Sequence, residues 1–109
     1  MMEHLFVYGT LQDPQVQEKL IGRRLSGIAD SLQGYQINNL LMPPYPVAMP
    51  ADDSIVEGQL LEITEAELHK LDEYEGECYL RIRVWLQSSQ ETWVYIGDPA
   101  CYPDEDLLK

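Results

Sequence analysis

The first apolar run, HLFVY at residues 4–8, is rich in β-forming side chains and stops at Gly9, which predicts a buried first strand. Asp13-Pro14 then reads as a helix N-cap followed by a first-turn proline. Val16 and Leu20 lie four apart on one face, so a short helix is expected to run to Gly22. Residues 25–40 mix apolar and polar positions around Gly27 and Gly34, predicting two strands or one bent strand. In MPPYPVAMPADDS the prolines at 43, 44, 46 and 50 exclude a helix and leave an edge strand or a loop. IVEGQLLEI at 55–63 reads as a strand. Thr64 and Glu67 form a capping box opening a helix that carries Leu68 and Leu71, with Gly76 as a left-handed cap. From Tyr79 to Leu86 the pattern alternates, with Leu80, Ile82, Val84 and Leu86 on one side and Tyr79, Arg81, Arg83 and Trp85 on the other. TWVYIG at 92–97 supplies the last strand, and the acidic tail YPDEDLLK is expected at the surface or frayed.

Many strands, two short helices and a proline-rich crossing segment imply an α+β protein with a small, highly curved sheet or barrel. No repeat, low-complexity tract or linker interrupts residues 1–109, so a single domain is expected. Composition narrows the function. Seven Lys and Arg stand against 19 Asp and Glu, a formal charge of -12. A non-specific nucleic-acid binder needs a basic surface, and so does docking on anionic lipid, so neither partner is expected. One small anionic substrate remains compatible, because a few backbone N–H groups can hold a carboxylate. Cys78 and Cys101 read as two reduced thiols. With no secretory leader pattern and no long apolar window, a soluble cytoplasmic protein is expected.

The candidate chemistry lies in LDEYEG, residues 71–76. At about 100° per residue, Leu71 lies about 60° to one side of Leu68 and Glu75 about 20° to the same side. Asp72 sits about 40° to the other side, at the margin of this apolar stripe, and Glu73 about 140° away, facing water. Glu75 is therefore the acid turned inward, with Asp72 its rival. The helix's negative pole, the neighbouring carboxylates and partial burial would all raise the Glu75 pKa toward a value useful to a general base. The competing reading is an ordinary acidic, solvated helix end. Other schemes fit poorly. His69 falls on the surface side, His4 opens the buried strand, and no serine sits in a GxSxG turn. Metal-ligand spacings and phosphate-cradling glycine loops are absent, so no metal and no cofactor is expected. Arg81 and Arg83 are expected to pair with the many acids rather than bind an anion.

LFVYGTL at 5–11 together with LDEYEGECYLR at 71–81 resembles the γ-glutamylcyclotransferase-like family, most of all its AIG2-like subgroup. YPVAMP at 45–50 and VEGQLLEIT at 56–64 are similar to its intervening segments. The resemblance implies a small mixed β-barrel with short flanking helices. It implies conversion of a γ-glutamyl amino acid or γ-glutamylamine to 5-oxoproline and a free amine. The family's catalytic glutamate falls on Glu75, and its substrate-holding turn on Tyr8, Gly9, Thr10 and Leu11. The tyrosine that follows the glutamate falls on Tyr79. Such chemistry needs no serine or cysteine nucleophile, because the substrate's own α-amine closes the ring. At Gln12-Asp13-Pro14 the chain departs from relatives that carry a glycine there, which alters the pocket rim. Two alternatives stay open: a non-catalytic small-molecule-binding or interaction module that keeps the pocket, and an amide-cleaving or acyl-transfer enzyme on another γ-glutamyl product. The leaving amine and the oligomeric state are not legible.

Overall fold

The computed structural model describes residues 2–42, 45–98, 100 and 101, so the expected fate of the tail at 102–109 lies outside the described residues. Two helices and five strands follow in the order β1 (Met2–Val7), α1 (Pro14–Ile21), β2 (Ile28–Met42), β3 (Tyr45–Thr64), α2 (Glu65–Glu75), β4 (Tyr79–Trp85) and β5 (Glu91–Gly97). One curled, mixed sheet holds the strands in the order β2-β3-β1-β5-β4. The β1–β5 pair is parallel and the other three pairings are antiparallel. This is the α+β architecture expected, a half-barrel with two helices.

Strand β1 lies at the centre of the sheet and is buried on both faces, which explains its unbroken apolar run. Leu5 and Val7 join the cluster beneath the helices with Ile63, Leu68 and Leu71, while Phe6 points into the cluster inside the curl with Leu32, Val56 and Val94. Of residues 25–40, those from Ile28 onward form one bent strand: β2 is irregular between Gln33 and Tyr35, where Gly34 adopts φ 87°. Of the two readings of the proline segment, edge strand or loop, the edge strand holds. Residues 45–50 belong to β3, while Pro43 and Pro44 lie outside the described residues. The prolines are tolerated because this half of β3 pairs only with β2, whereas residues 59–64 pair with β1.

Both helices start as the sequence predicts. The Asp13 side chain accepts from Gln15 N–H at 2.8 Å with Pro14 in the first turn, and Gly22 ends α1 in the left-handed region. Thr64 and Glu67 close a reciprocal capping box on α2. Arg23 adds a two-pronged ion pair to Glu67, at 2.6 and 2.8 Å, which ties the end of α1 to the start of α2. That fork holds the Glu67 carboxyl down at about 2.

Cys78 and Cys101, expected as free thiols, are instead joined in a disulfide. Their separation of 23 residues hides that β4 begins opposite the end of β5, with Tyr79 facing Gly97. Asp98 N–H donates to the Cys78 carbonyl at 3.0 Å, and the two Cα atoms stand 5.4 Å apart. Closing a loop of this length restricts the unfolded chain by about 3 kcal/mol. Cys101→Ser should lower stability by about that amount in urea titrations, and a reductant should bring the unaltered protein to the same midpoint.

Candidate functional site

Helix α2 reaches the site because of how it leaves the sheet. Thr64 pairs with Met2 at the start of β1, and α2 begins at the next residue. Eleven helical residues then advance about 16 Å, close to the length of six strand residues, about 20 Å. Leu68 and Leu71 lay the helix on the cluster containing Leu5 and Val7. Its last residue, Glu75, thereby arrives at the level where β1 ends and the YGTL turn begins.

That turn is tight. Gln12 N–H closes onto the Gly9 carbonyl and Asp13 N–H onto the Thr10 carbonyl, both at 3.0 Å, forming a single 3-10 turn over Thr10–Gln12. The amides of Thr10 and Leu11 precede the first of these bonds, so they have no acceptor within the turn. A Cβ on Gly9 would stand 2.9 Å from Pro46 Cγ, so the approach of the proline strand requires glycine here. From below, Gln17 braces the turn. It is 2% exposed, its amide donates to the Leu11 carbonyl and its oxygen accepts from Leu25 N–H, both at 2.8 Å. The apolar pattern of α1 gave no hint of this buried amide. Replacing Gln17 with Leu orphans two backbone groups, and should cost about 2 kcal/mol in thermal unfolding.

Tyr8, Gly9, Thr10, Leu11, Glu75 and Tyr79 all line one cavity of about 200 Å³. Among its described lining residues there is no basic side chain. The two tyrosines use their hydroxyls within the protein. Tyr8 OH donates to the Tyr95 carbonyl and accepts from Ala48 N–H at 3.1 Å, while Tyr79 OH donates to the Pro46 carbonyl at 3.1 Å. Both thus hold the proline strand over the cavity, and Pro46 joins its wall.

Burial pushes the Glu75 carboxyl up to about 7. Desolvation, one of the three influences anticipated from sequence, is the cause of this shift. Glu73 and Glu77 are exposed, and Asp72 is engaged elsewhere. Gly76 has the positive φ expected, 83°, but its ψ of -168° is the extended glycine-only region rather than a left-handed helical cap. This sends the chain sharply toward Cys78 and β4.

Asp72, the rival acid, is committed. Its carboxylate takes Arg81 Nε at 2.9 Å and Nη2 at 3.0 Å, and accepts from Tyr95 OH at 2.7 Å. Tyr95, which the sequence did not single out, lines the Glu75 cavity, and burial together with Asp72 raises its hydroxyl pKa far above the ordinary value. Arg83 pairs with Glu91 at 3.0 Å, so both arginines pair with acids as expected. Of the histidines, His69 is exposed and His4 lies 3.9 Å from Glu62, both remote from the cavity lining. Among the described residues no cluster of three His, Cys, Asp or Glu could hold a metal ion, and no helix is long and apolar enough to cross a membrane.

A curled mixed sheet that seats a half-buried glutamate beside a tight strand-to-helix turn defines a recognisable class of α+β proteins. The chain belongs to the family described as "Gamma-glutamyl cyclotransferase, AIG2-like", whose model matches residues 5–109. It is 34% identical to AIG2-like protein A of Arabidopsis thaliana over 90% of this chain and 66% of that protein. It is 28% identical to the γ-glutamylaminecyclotransferase of Rattus norvegicus, over 90% of this chain and 71% of that one. The chain thus spans about two thirds of the length of the curated relatives it matches. A solution structure of an Arabidopsis thaliana protein superposes with a TM-score of 0.78 at 27% identity, covering 98% of this chain and 78% of that one. A structure titled γ-glutamyl cyclotransferase, at 15% identity and a TM-score of 0.70 over 90% of this chain and 68% of its own, shares the fold.

Proposed function

We propose that this chain is a cofactor-independent γ-glutamyl cyclotransferase that releases 5-oxoproline and a free amine, with Glu75 as its acid–base group. One observation carries the reading: Glu75, raised to about 7 by burial, shares a cavity of about 200 Å³ with the turn at residues 8–11. A carboxyl with that pKa both accepts and returns a proton near neutrality. Turn amides that precede the first hydrogen bond of the 3-10 turn suit an α-carboxylate or a developing oxyanion. They can do so in a cavity that has no basic side chain among its described lining residues.

In this reaction the γ-glutamyl chain folds back on itself within the cavity. Glu75 takes a proton from the α-ammonium, and the freed nitrogen attacks the γ-carbonyl carbon, forming the new C–N bond of a five-membered ring. The tetrahedral intermediate collapses as the original γ-amide C–N bond breaks. Glu75 returns the proton to the departing nitrogen, then takes the second proton from the ring nitrogen and passes it to the released amine, so that a neutral lactam and an ammonium product leave together. The nucleophile and the electrophile belong to one molecule, so orientation by the walls replaces an enzyme nucleophile. The test is incubation of the protein with γ-glutamyl amino acids and γ-glutamylamines, followed by quantitation of 5-oxoproline. Release with an equal amount of free amine is expected. Saturable binding of 5-oxoproline with no release from any substrate would favour a binding module. Release of glutamate in place of 5-oxoproline would indicate hydrolysis.

A further inference from the structure

A second hollow, of about 370 Å³, adjoins the first and shares Glu75, Tyr79 and Tyr95 with it. Its outer wall is built from Asp72, Arg81 and Trp93. Arg81 is the one cationic side chain on the described lining of either hollow. It is held firmly: Asp72 takes Nε and Nη2, and the guanidinium carbon lies 4.2 Å from the centre of the Trp93 ring. Trp93 is itself anchored, its indole N–H donating to Glu3 at 3.2 Å and its ring also carrying Arg83 at 4.9 Å. Nη1 of Arg81 stays outside the Asp72 fork.

Resting on the cyclotransferase reading, we propose that this second hollow receives the departing amine, and that Arg81 makes an α-amino acid the preferred leaving group. Ring closure occupies the first hollow. The leaving nitrogen must meet Glu75 to collect its proton, and Glu75 is where the two hollows join. The substituent on that nitrogen therefore extends into the second. In a γ-glutamyl-α-amino acid the substituent carries a carboxylate two bonds from the leaving nitrogen, in the hollow that Arg81 lines. In a γ-glutamylalkylamine it carries none. On a chain of formal charge -12, a preset guanidinium is the feature that would admit an anion here. Trp93 and Asp72 are positioning residues in this account, since they act through Arg81.

The matched pair γ-glutamyl-L-alanine and γ-glutamylethylamine differs only by that carboxylate. The expected kcat/KM ratio is about tenfold or more in favour of the alanine compound, the scale of one charge-assisted hydrogen bond. Arg81→Met should bring the ratio near one, and Arg81→Lys should restore part of it. A ratio near one in the unaltered protein, or an undiminished ratio in Arg81→Met, would overturn the inference while leaving the cyclotransferase reading intact. No 5-oxoproline from either compound would overturn both. Should Arg81→Met fail to fold, product inhibition of the unaltered protein decides. L-alanine inhibiting about tenfold more strongly than ethylamine supports the inference, and equal inhibition overturns it.

Discussion

Glu75→Gln should lower kcat/KM for 5-oxoproline release by about a thousandfold, within the range that a positioned acid–base group contributes. The substitution keeps the shape of the side chain and removes only its ability to exchange a proton. Two other hydroxyls on the first cavity's described lining, those of Tyr8 and Tyr79, are spent on the backbone carbonyls of Tyr95 and Pro46. Tyr95 holds its proton too tightly to serve as a base at neutral pH. In the unaltered protein, kcat/KM should rise with pH through an inflection near 7, because Glu75 must be ionised to accept the α-ammonium proton and burial sets it at about 7. The inflection should disappear with the Gln substitution. Asp72→Asn supplies the contrast. It disturbs the Arg81 and Tyr95 contacts without touching the proton path, so a loss smaller than that of Glu75→Gln is expected. If Glu75→Gln kept a tenth or more of the activity, the mechanism would need another base.

The elements governed by local rules were legible from sequence. Asp13-Pro14, the Thr64–Glu67 box and the positive φ at Gly76 follow from capping chemistry that acts within four residues. Period alone turned Glu75 inward, since its place on the stripe of Leu68 and Leu71 depends only on helical geometry. The resemblance gathered residues 8–11 and Tyr79 around it, and the fold brings all six to one cavity. What escaped depends on pairings distant in the chain. Tyr95 reaches Asp72 across 23 residues because β5 carries it over the helix end, a relation set by the parallel β1–β5 pairing. The disulfide follows from the same sheet order, through the β4–β5 register. The prolines at 46 and 50 argued against a central strand and left an edge strand or a loop; they lie where β3 has one neighbour only, as the edge-strand reading requires.

Those long-range contacts also show why the acid is strained at neutral pH while the fold holds. Two fixtures adjoin Glu75: the Gly76 turn that follows it and the Asp72–Arg81 fork that lines the second hollow with it. Each immobilises a neighbour without giving Glu75 a cationic partner. The carboxylate is thus kept in a poorly solvated place by groups that do not compensate its charge, and proton affinity is the consequence.

That consequence can be measured in the absence of any substrate. In the unfolded chain Glu75 titrates near the ordinary value of 4.5, and in the folded chain at about 7. Below pH 4.5 both states hold the proton and the group contributes nothing to the difference between them. As pH rises, the unfolded chain releases its proton first while the folded chain retains it, so stability falls until the folded group also ionises above 7. A separation of this size corresponds to about 3 kcal/mol. Glutamine does not titrate. The stability of Glu75→Gln relative to the unaltered protein should therefore shift by about 3 kcal/mol in favour of the variant between pH 4 and pH 8, read from urea denaturation at each pH. Taking the difference matters, because other groups pull both proteins equally. Glu67, held at about 2 by Arg23, contributes stability that is present above 4.5 and lost as pH falls toward 2. The many acids also repel one another increasingly as pH rises. Both effects cancel in the comparison. A flat difference across this window would mean that the Glu75 carboxylate is solvated, and would remove the physical basis for its role as a base.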